Sequence, residues 1–295
     1  MSSEPKPRHG RAANVTATVL CHNSIDSLIE VLEAVSMQSV TPSRVVVVDN
    51  GSSDGTKEHL GSLSWIEAVR LDENQGVGAG HNRAIEIALS DPECDYVWLL
   101  EHDSVPARSC LEELMRAVTR LKAGDEEIGA LMPRRARRDE LGSLPAAQGL
   151  RSGTIMTFNG VLLPRSTVEA VGPLREDFFV GLEDSEYADR IRVNGLPIYE
   201  VDSSLLTHEN KGMRRRGIAP SVGRSYYSIR NSVFLEVYLR HRPGSIARTL
   251  IRALGGSLRT LAAEDDKVAR VCARLVATYD GLAKRLGRRR YWFLS

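Results

Sequence analysis

The run Arg44-Val-Val-Val-Val48 limits the possible folds more than any other part of this chain. It is apolar without alternation, so as a strand it needs cover on both faces, which a parallel sheet flanked by helices provides. Before it, Val15 to Cys21 (VTATVLC) is rich in β-branched residues and reads as a first strand. Between the two, Ile25 to Val35 sets Leu28, Val31, Leu32 and Val35 on one helical face, with Ser24 or Asn23 as its cap. Strand, helix, strand of this length is a βαβ unit, with a parallel pair and a right-handed crossover.

The same pattern continues downstream. A helix is expected over Gly55 to Leu63, a strand at Ala68 to Leu71, and a Gly-rich turn, Asn74 to Arg83, opening a helix from Ala84 to Leu89. Tyr96 to Leu100 reads as a buried strand that turns polar at Glu101-His-Asp-Ser104, and a helix follows from Ser109 to Lys122. Arg134 to Arg138 reads as a surface loop, either a mobile lid or a solvated charge run. Further expectations are a strand at Phe158 to Leu163, a helix from Ser166 to Gly172, a helix beginning near Glu183, and a short strand at Pro197 to Val201. Beyond residue 220 the chain reads as helical, over Ser221 to Tyr238 and Ser245 to Leu286, where Ile246, Leu250, Ile251, Leu254, Leu258 and Leu261 recur at helical spacing.

Composition narrows the class. The 295 residues are 42% hydrophobic and 26% charged, ordinary for a globular enzyme. No apolar run approaches the roughly 20 residues of a membrane span, and residues 1–13 lack a signal-peptide core, so a cytoplasmic protein with a flexible N-terminus is expected. Cys21, Cys94, Cys110 and Cys272 form no close pair, which points to reduced thiols. The net charge of +1 conceals an asymmetry: 20 Lys and Arg against 33 Asp and Glu up to residue 209, then 19 against 5. The basic C-terminal third, ending Arg288-Arg-Arg-Tyr-Trp-Phe-Leu294, suits an anionic membrane interface or, equally, a helical hairpin with a solvated basic face.

Ligands of open α/β sheets bind at the carboxyl ends of the strands, which makes Asp103 a candidate metal ligand. The glycines at 76, 78 and 80 let a backbone pass close to a ligand, and the helix N-terminus behind them offers N–H groups to a phosphate. The spacing does not fit a dinucleotide fingerprint. Glu183 and Asp184 open a helix, where acids also serve as caps, but capping does not explain Glu186 as well. His208 follows a strand, as many structural histidines do.

In order, the segments VTATVLCHN, VVVVDNGSSDGT, NQGVGAGHNRAI, WLLEHDSVP, FNGVLLPRS, FFVGLEDSEYADRI, THENKG and YYSIRNSV resemble the family 2 glycosyltransferases of the GT-A fold, over residues 14–235. The flavour is that of the rhamnosyl- and galactofuranosyl-transferase branches, which build cell-surface polysaccharides. The resemblance implies an α/β fold with a mostly parallel central sheet flanked by helices, a catalytic domain over 14–220 and a basic helical region over 221–295. It implies that Asp49 meets the nucleobase, with Cys21, Asn23, Asn50 and Gly51 nearby. Asn74, Gly76, Gly78, Asn82 and Arg83 would hold ribose and diphosphate. The family's DXD element here reads Glu101-His102-Asp103, so Asp103 is the matching metal ligand and His208 completes the site. Asp184 would be the catalytic base, with Glu183 as fallback. Asn159, Gly160, Glu186, Tyr227, Arg230 and Asn231 are candidates for the acceptor or diphosphate.

The expected reaction is an inverting, metal-dependent transfer from a UDP- or dTDP-sugar to a glycan or lipid-linked acceptor. The cation would be Mn²⁺, favoured by an imidazole ligand, or Mg²⁺. Crowding of Glu183, Asp184 and Glu186 should raise one carboxyl pKa. No nucleic acid partner is expected, and a homo-oligomer stays open. The departure to Glu-His-Asp motivates a second reading, a catalytically silent sugar-nucleotide binding protein. A nucleotidylyltransferase would need a basic Gly-rich loop after the first strand, and a glycoside hydrolase would leave the Gly-rich turn idle.

Overall fold

The computed structural model describes residues 13–140, 149–153, 156–208, 221–241, 244–263 and 266–294, with the side chains of residues 139 and 257–263 excepted. Expectations for the N-terminal twelve residues, for residues 209–212 and for the side chains of Leu258 and Leu261 lie outside the described residues.

The βαβ unit forms as read: β1 (Val15–Cys21), α1 (Ile25–Ser36) and β2 (Arg44–Asp49), with β1 and β2 parallel. The cap does not. Ser24 makes no side-chain cap bond; the first helical N–H, that of Ile25, donates instead to Asp54 Oδ2 at 3.0 Å from the loop after β2. Next come α2 (Thr56–Gly61), β3 (Glu67–Arg70), α3 (Val77–Leu89), β4 (Tyr96–Glu101), β5 (Ser104–Pro106) and α4 (Cys110–Ala123). Then β6 (Ala130–Arg135), β7 (Leu150–Ser152), β8 (Val161–Pro164), α5 (Arg165–Val171), α6 (Glu183–Val193) and β9 (Ile198–His208) complete the sheet and its cover.

The strand order is β3-β2-β1-β4-β8-β6-β9-β5, with β7 on β9. Strands β3, β2, β1 and β4 are mutually parallel; β8 runs against both its neighbours, and β5 and β7 run against β9. The sheet is therefore parallel in one half and mixed in the other. Alternate β1 residues feed two cores. Val15, Ala17, Val19 and Cys21 meet α1 and α4, while Leu20, with Val46 and Val48, meets Ala84 and Ile87 of α3.

Several boundaries differ from the sequence reading, each for a physical reason. Helix α3 begins at Val77, inside the Gly-rich stretch, because those glycines are packing contacts: a Cβ on Gly78 would lie 2.4 Å from the Arg175 carbonyl oxygen. Arg134 and Arg135 end β6 rather than forming a lid; Arg134 Nε donates to the Asp202 carbonyl and Arg135 Nη2 to the His208 carbonyl. β9 runs on past Val201 to His208, because the polar stretch Asp202-Ser-Ser204 is an irregularity in the β6 ladder and not a loop. The strand expected from Phe158 starts at Val161.

At the C-terminal end, α7 (Val222–Phe234) is extended by a π-helical turn, Leu235–Leu239. The long helix expected over 245–286 is two, α8 (Ser245–Ala263) and α9 (Lys267–Leu282). The basic-aromatic tail is not a free membrane anchor. Tyr291 and Phe293 stack on each other and join Tyr226, and Arg288 Nη1 reaches Glu73 Oε2 at 2.6 Å. No helix among the described residues is long and apolar enough to cross a membrane.

Candidate active site

Register brings the first group together. β4 lies beside β1 and ends at Glu101, opposite Leu20; the turn after it is tied back by the His102 N–H donating to the Leu20 carbonyl at 3.0 Å. β5 then pairs with the far end of β9, so Ser104 faces His208. Glu101, Asp103 and His208 each offer a ligand atom within 4.8 Å of the others. His208 Nε2 is 3.0 Å from Asp103 Oδ2, while Asp103 Oδ1 is buried with no hydrogen-bond partner. Burial alone would push Asp103 up, but the His208 hydrogen bond and charge, with His102, outweigh it and hold its carboxyl below the usual range. Two carboxylates, an imidazole and an orphaned buried oxygen fit a divalent cation. Glu101 thus stands with the ligands: its extra methylene does not remove it from the group.

The second group opens α6. Phe179, Gly181 and Leu182 all have positive φ (64°, 88° and 69°), so the loop before Glu183 holds a conformation that two of its three residues do not favour. Side chains of α7 hold it there. Asn231 Nδ2 donates to the carbonyls of Phe178, Val180 and Gly181, and Arg230 Nη2 donates to those of Asp177 and Phe178; both residues are fully buried. Tyr227, also buried, bonds the Arg289 main chain. These three were candidate ligand contacts, but their polar atoms are engaged by backbone: Arg230 and Asn231 hold the loop, and Tyr227 holds the C-terminal tail.

Glu183 is buried and its Oε2 has no partner, whereas Asp184 is half-buried and accepts the Ser185 N–H at 2.6 Å. Burial, then the neighbouring Asp184, raises Glu183 to about 8; burial likewise raises Asp184 to about 6, with Glu101 adding to it. The charge of Glu101 thus acts on both acids. The expected crowding by Glu186 is not the cause. Glu186 turns to Arg190, 2.9 Å away, and sits apart from the pair.

The residues expected at the nucleotide lie on a row of loops along the same strand ends. Cys21 and Asp49 are register partners, as are Asp49 and Arg70. The buried Asp49 accepts the Ser52 N–H at 2.8 Å and pairs with Arg70, a residue the sequence reading passed over although it ends the adjoining strand. Cys21 is buried, its thiol donating to the Val48 carbonyl, and burial pushes its pKa up. Asn23, at φ 48°, accepts the Ser53 N–H at 2.7 Å. Asn50 donates to the Gly76 carbonyl and accepts the Gln75 N–H, while Asn74 Oδ1 accepts the Gly76 N–H. Gly51 must lack a side chain: a Cβ there would lie 2.6 Å from Glu73 backbone.

Other candidates fall elsewhere. Asn82 is engaged by Leu174 and Glu176, and Arg83 by Glu86, on the rim of a cavity of about 590 Å³ between α3 and α5. That cavity includes none of Asp49, Glu101, Asp103, Glu183 and Asp184. Asn159 accepts from Ser104 Oγ at 2.5 Å, one residue along from Asp103, while Gly160 is bonded to Trp98 and Leu99 inside the sheet. His81, unremarked in the sequence, is fully buried 3.9 Å from Glu101.

Residues 16–144 match the family model "Glycosyl transferase family 2". The chain is 22% identical to dTDP-rhamnosyl transferase RfbF of Shigella flexneri, over 84% of this chain and 88% of that one. It is 29% identical to galactofuranosyltransferase GlfT1 of Mycobacterium tuberculosis, over 62% of this chain and 66% of that one. Among solved structures, the mannosyltransferase PcManGT of Pyrobaculum calidifontis, in complex with GDP-Man and Mn²⁺, superimposes at a TM-score of 0.57 with 20% identity, covering 95% of this chain and 92% of that one. With strand ends, acidic cluster and Gly-rich loop in this arrangement, residues 16–144 are similar to the family 2 glycosyltransferases, and the chain as a whole shares the fold of that mannosyltransferase.

Proposed function

We propose that the protein is an inverting, metal-dependent transferase that moves a sugar from a UDP- or dTDP-sugar, of the rhamnose or galactofuranose kind, to a hydroxyl of a cell-surface glycan or lipid-linked acceptor. The observation that carries this reading is the Glu101, Asp103 and His208 cluster at the strand ends, with the Asp103 Oδ1 buried and unpartnered within it. Residues 14–220 are the catalytic domain in this reading. The helices after residue 220 brace it on the cytoplasmic face of a membrane.

Donor recognition runs along the strand ends, with Asp49 and Arg70 at the base end and the Asn74–Gly76 turn at the ribose and diphosphate. Glu101, Asp103 and His208 would hold Mn²⁺ or Mg²⁺, and what the cation supplies when bound is neutralisation of the departing diphosphate. Asp184 takes the acceptor hydroxyl proton as that oxygen bonds the anomeric carbon. The bond to the phosphate oxygen breaks on the opposite face, and its electron pair leaves with the nucleoside diphosphate. An acid raised to about 6 is still ionised at neutral pH yet basic enough to accept a proton. Glu183, raised to about 8, stays protonated there. Alignment of acceptor and donor supplies much of the remaining barrier lowering.

Asp184→Asn should lower kcat at least 1,000-fold with donor affinity, read by calorimetry, within about twofold. A variant with wild-type turnover would remove Asp184 from the chemistry. His208→Ala should weaken Mn²⁺ binding, read by electron paramagnetic resonance, by about tenfold or more. Unchanged Mn²⁺ affinity would leave His208 a structural residue and return weight to a binding protein without catalysis.

A further inference from the structure

The C-terminal region turns apolar side chains outward. Of the thirteen exposed large hydrophobic residues among those described, nine lie between Leu239 and Trp292. Four form one arc of α8: Ile246, Leu250, Ile251 and Leu254, at 53%, 46%, 69% and 63% exposure. The opposite face of α8, Ser245, Thr249 and Ala253, is buried, so the helix is already seated, and its outward arc has no cover among the described residues. At about 1.5 Å per residue, nineteen residues make a rod of about 28 Å.

We infer that the outward arc of α8 docks the enzyme on an anionic phospholipid surface, lying in the interface plane. This rests on the membrane-face reading above and names the surface responsible, which is not the basic-aromatic tail. Charge selects the occupant. Arg248 and Arg252 border the arc and are exposed, and residues 245–256 contain no acid. Residues 245–295 carry eleven Lys and Arg against four acids. An apolar strip edged by arginines matches acyl chains beneath anionic head groups. A second copy of the same face would bring another set of arginines against it. The docking helix is also coupled to the chemistry. α8 packs on α9, α9 on α7, and α7 holds the loop that opens α6.

The test is co-sedimentation of the full chain with vesicles of phosphatidylglycerol and phosphatidylcholine, against phosphatidylcholine alone, using wild type, Ile251→Glu/Leu254→Glu and Arg288→Ala. Wild type and Arg288→Ala should pellet with the anionic vesicles at low salt, and the double variant at least tenfold more weakly, with melting temperature unchanged. Equal binding by the double variant would overturn the α8 assignment and leave the membrane reading standing. No binding by wild type would defeat both. A wild-type dimer in light scattering that the double variant dissociates, without vesicle binding, would make the arc a self-interface and also overturn the proposal.

Discussion

Glu183 and Asp184 are neighbours in one turn, yet their burial separates them, to about 8 and about 6. The native state keeps the Glu183 proton across a range in which the unfolded chain, near the ordinary 4.5, has released it. Native protein therefore binds more protons than unfolded protein, and stability falls as pH rises from about 4.5 through 8. Glu183→Gln removes that dependence. In metal-free protein its melting temperature should equal wild type near pH 4 and exceed it increasingly toward pH 9, a tenfold difference in proton affinity between the two states being worth about 1.4 kcal/mol. A constant gap across that range in calorimetry would show that burial of Glu183 carries no such penalty. Residue identities at this site were legible: acids at strand ends and at a helix start stand out in the sequence. Their protonation was not, because desolvation depends on what covers them, and the neighbour expected to crowd them, Glu186, faces Arg190.

At the level of elements, the loop from Phe178 to Leu182 has little intrinsic preference for its conformation and is held from α7. Asn231→Leu keeps the volume and removes the two amide hydrogens shared among three carbonyls of that loop, together with the oxygen that accepts from Arg230. It should cost about 2–4 kcal/mol of stability, and turnover should fall while Mn²⁺ affinity, proposed to rest on Glu101, Asp103 and His208, holds. Chemical denaturation read beside kcat checks this; a variant as stable and active as wild type would make α7 a passive cover. The motif YYSIRNSV was visible in the sequence and invited a ligand role. The true partners of its Arg230 and Asn231 are main-chain carbonyls about 50 residues away, and main-chain carbonyls leave no trace in a sequence. The strands tell the same story. Runs such as Arg44–Val48 announce themselves by composition, whereas β5, three residues long, and the second half of β9 exist through their pairing with each other.

Across the whole molecule, the C-terminal tail returns to the Asn74–Gly76 turn. The Gly287 N–H donates to the Asp177 carbonyl at 2.6 Å, and Arg288 meets both Glu73 and the Asn74 carbonyl. Arg288→Ala should therefore loosen the Asn74–Gly76 turn, weakening donor affinity about two- to fivefold, as befits an exposed ion pair worth under about 1 kcal/mol. Turnover at saturating donor should be unchanged; unaltered affinity in calorimetry would confine the tail to a structural role. By itself the sequence determined the βαβ start, the flanking helices, the acids at the strand ends and the candidate catalytic carboxylates, because hydrophobic period and polar punctuation are local properties. Only the tertiary structure decided that Glu101 joins Asp103 and His208, that Arg70 holds Asp49, and that the glycines of α3 make room for the chain at 175–179. Each depends on register between segments distant in sequence, which no local pattern encodes.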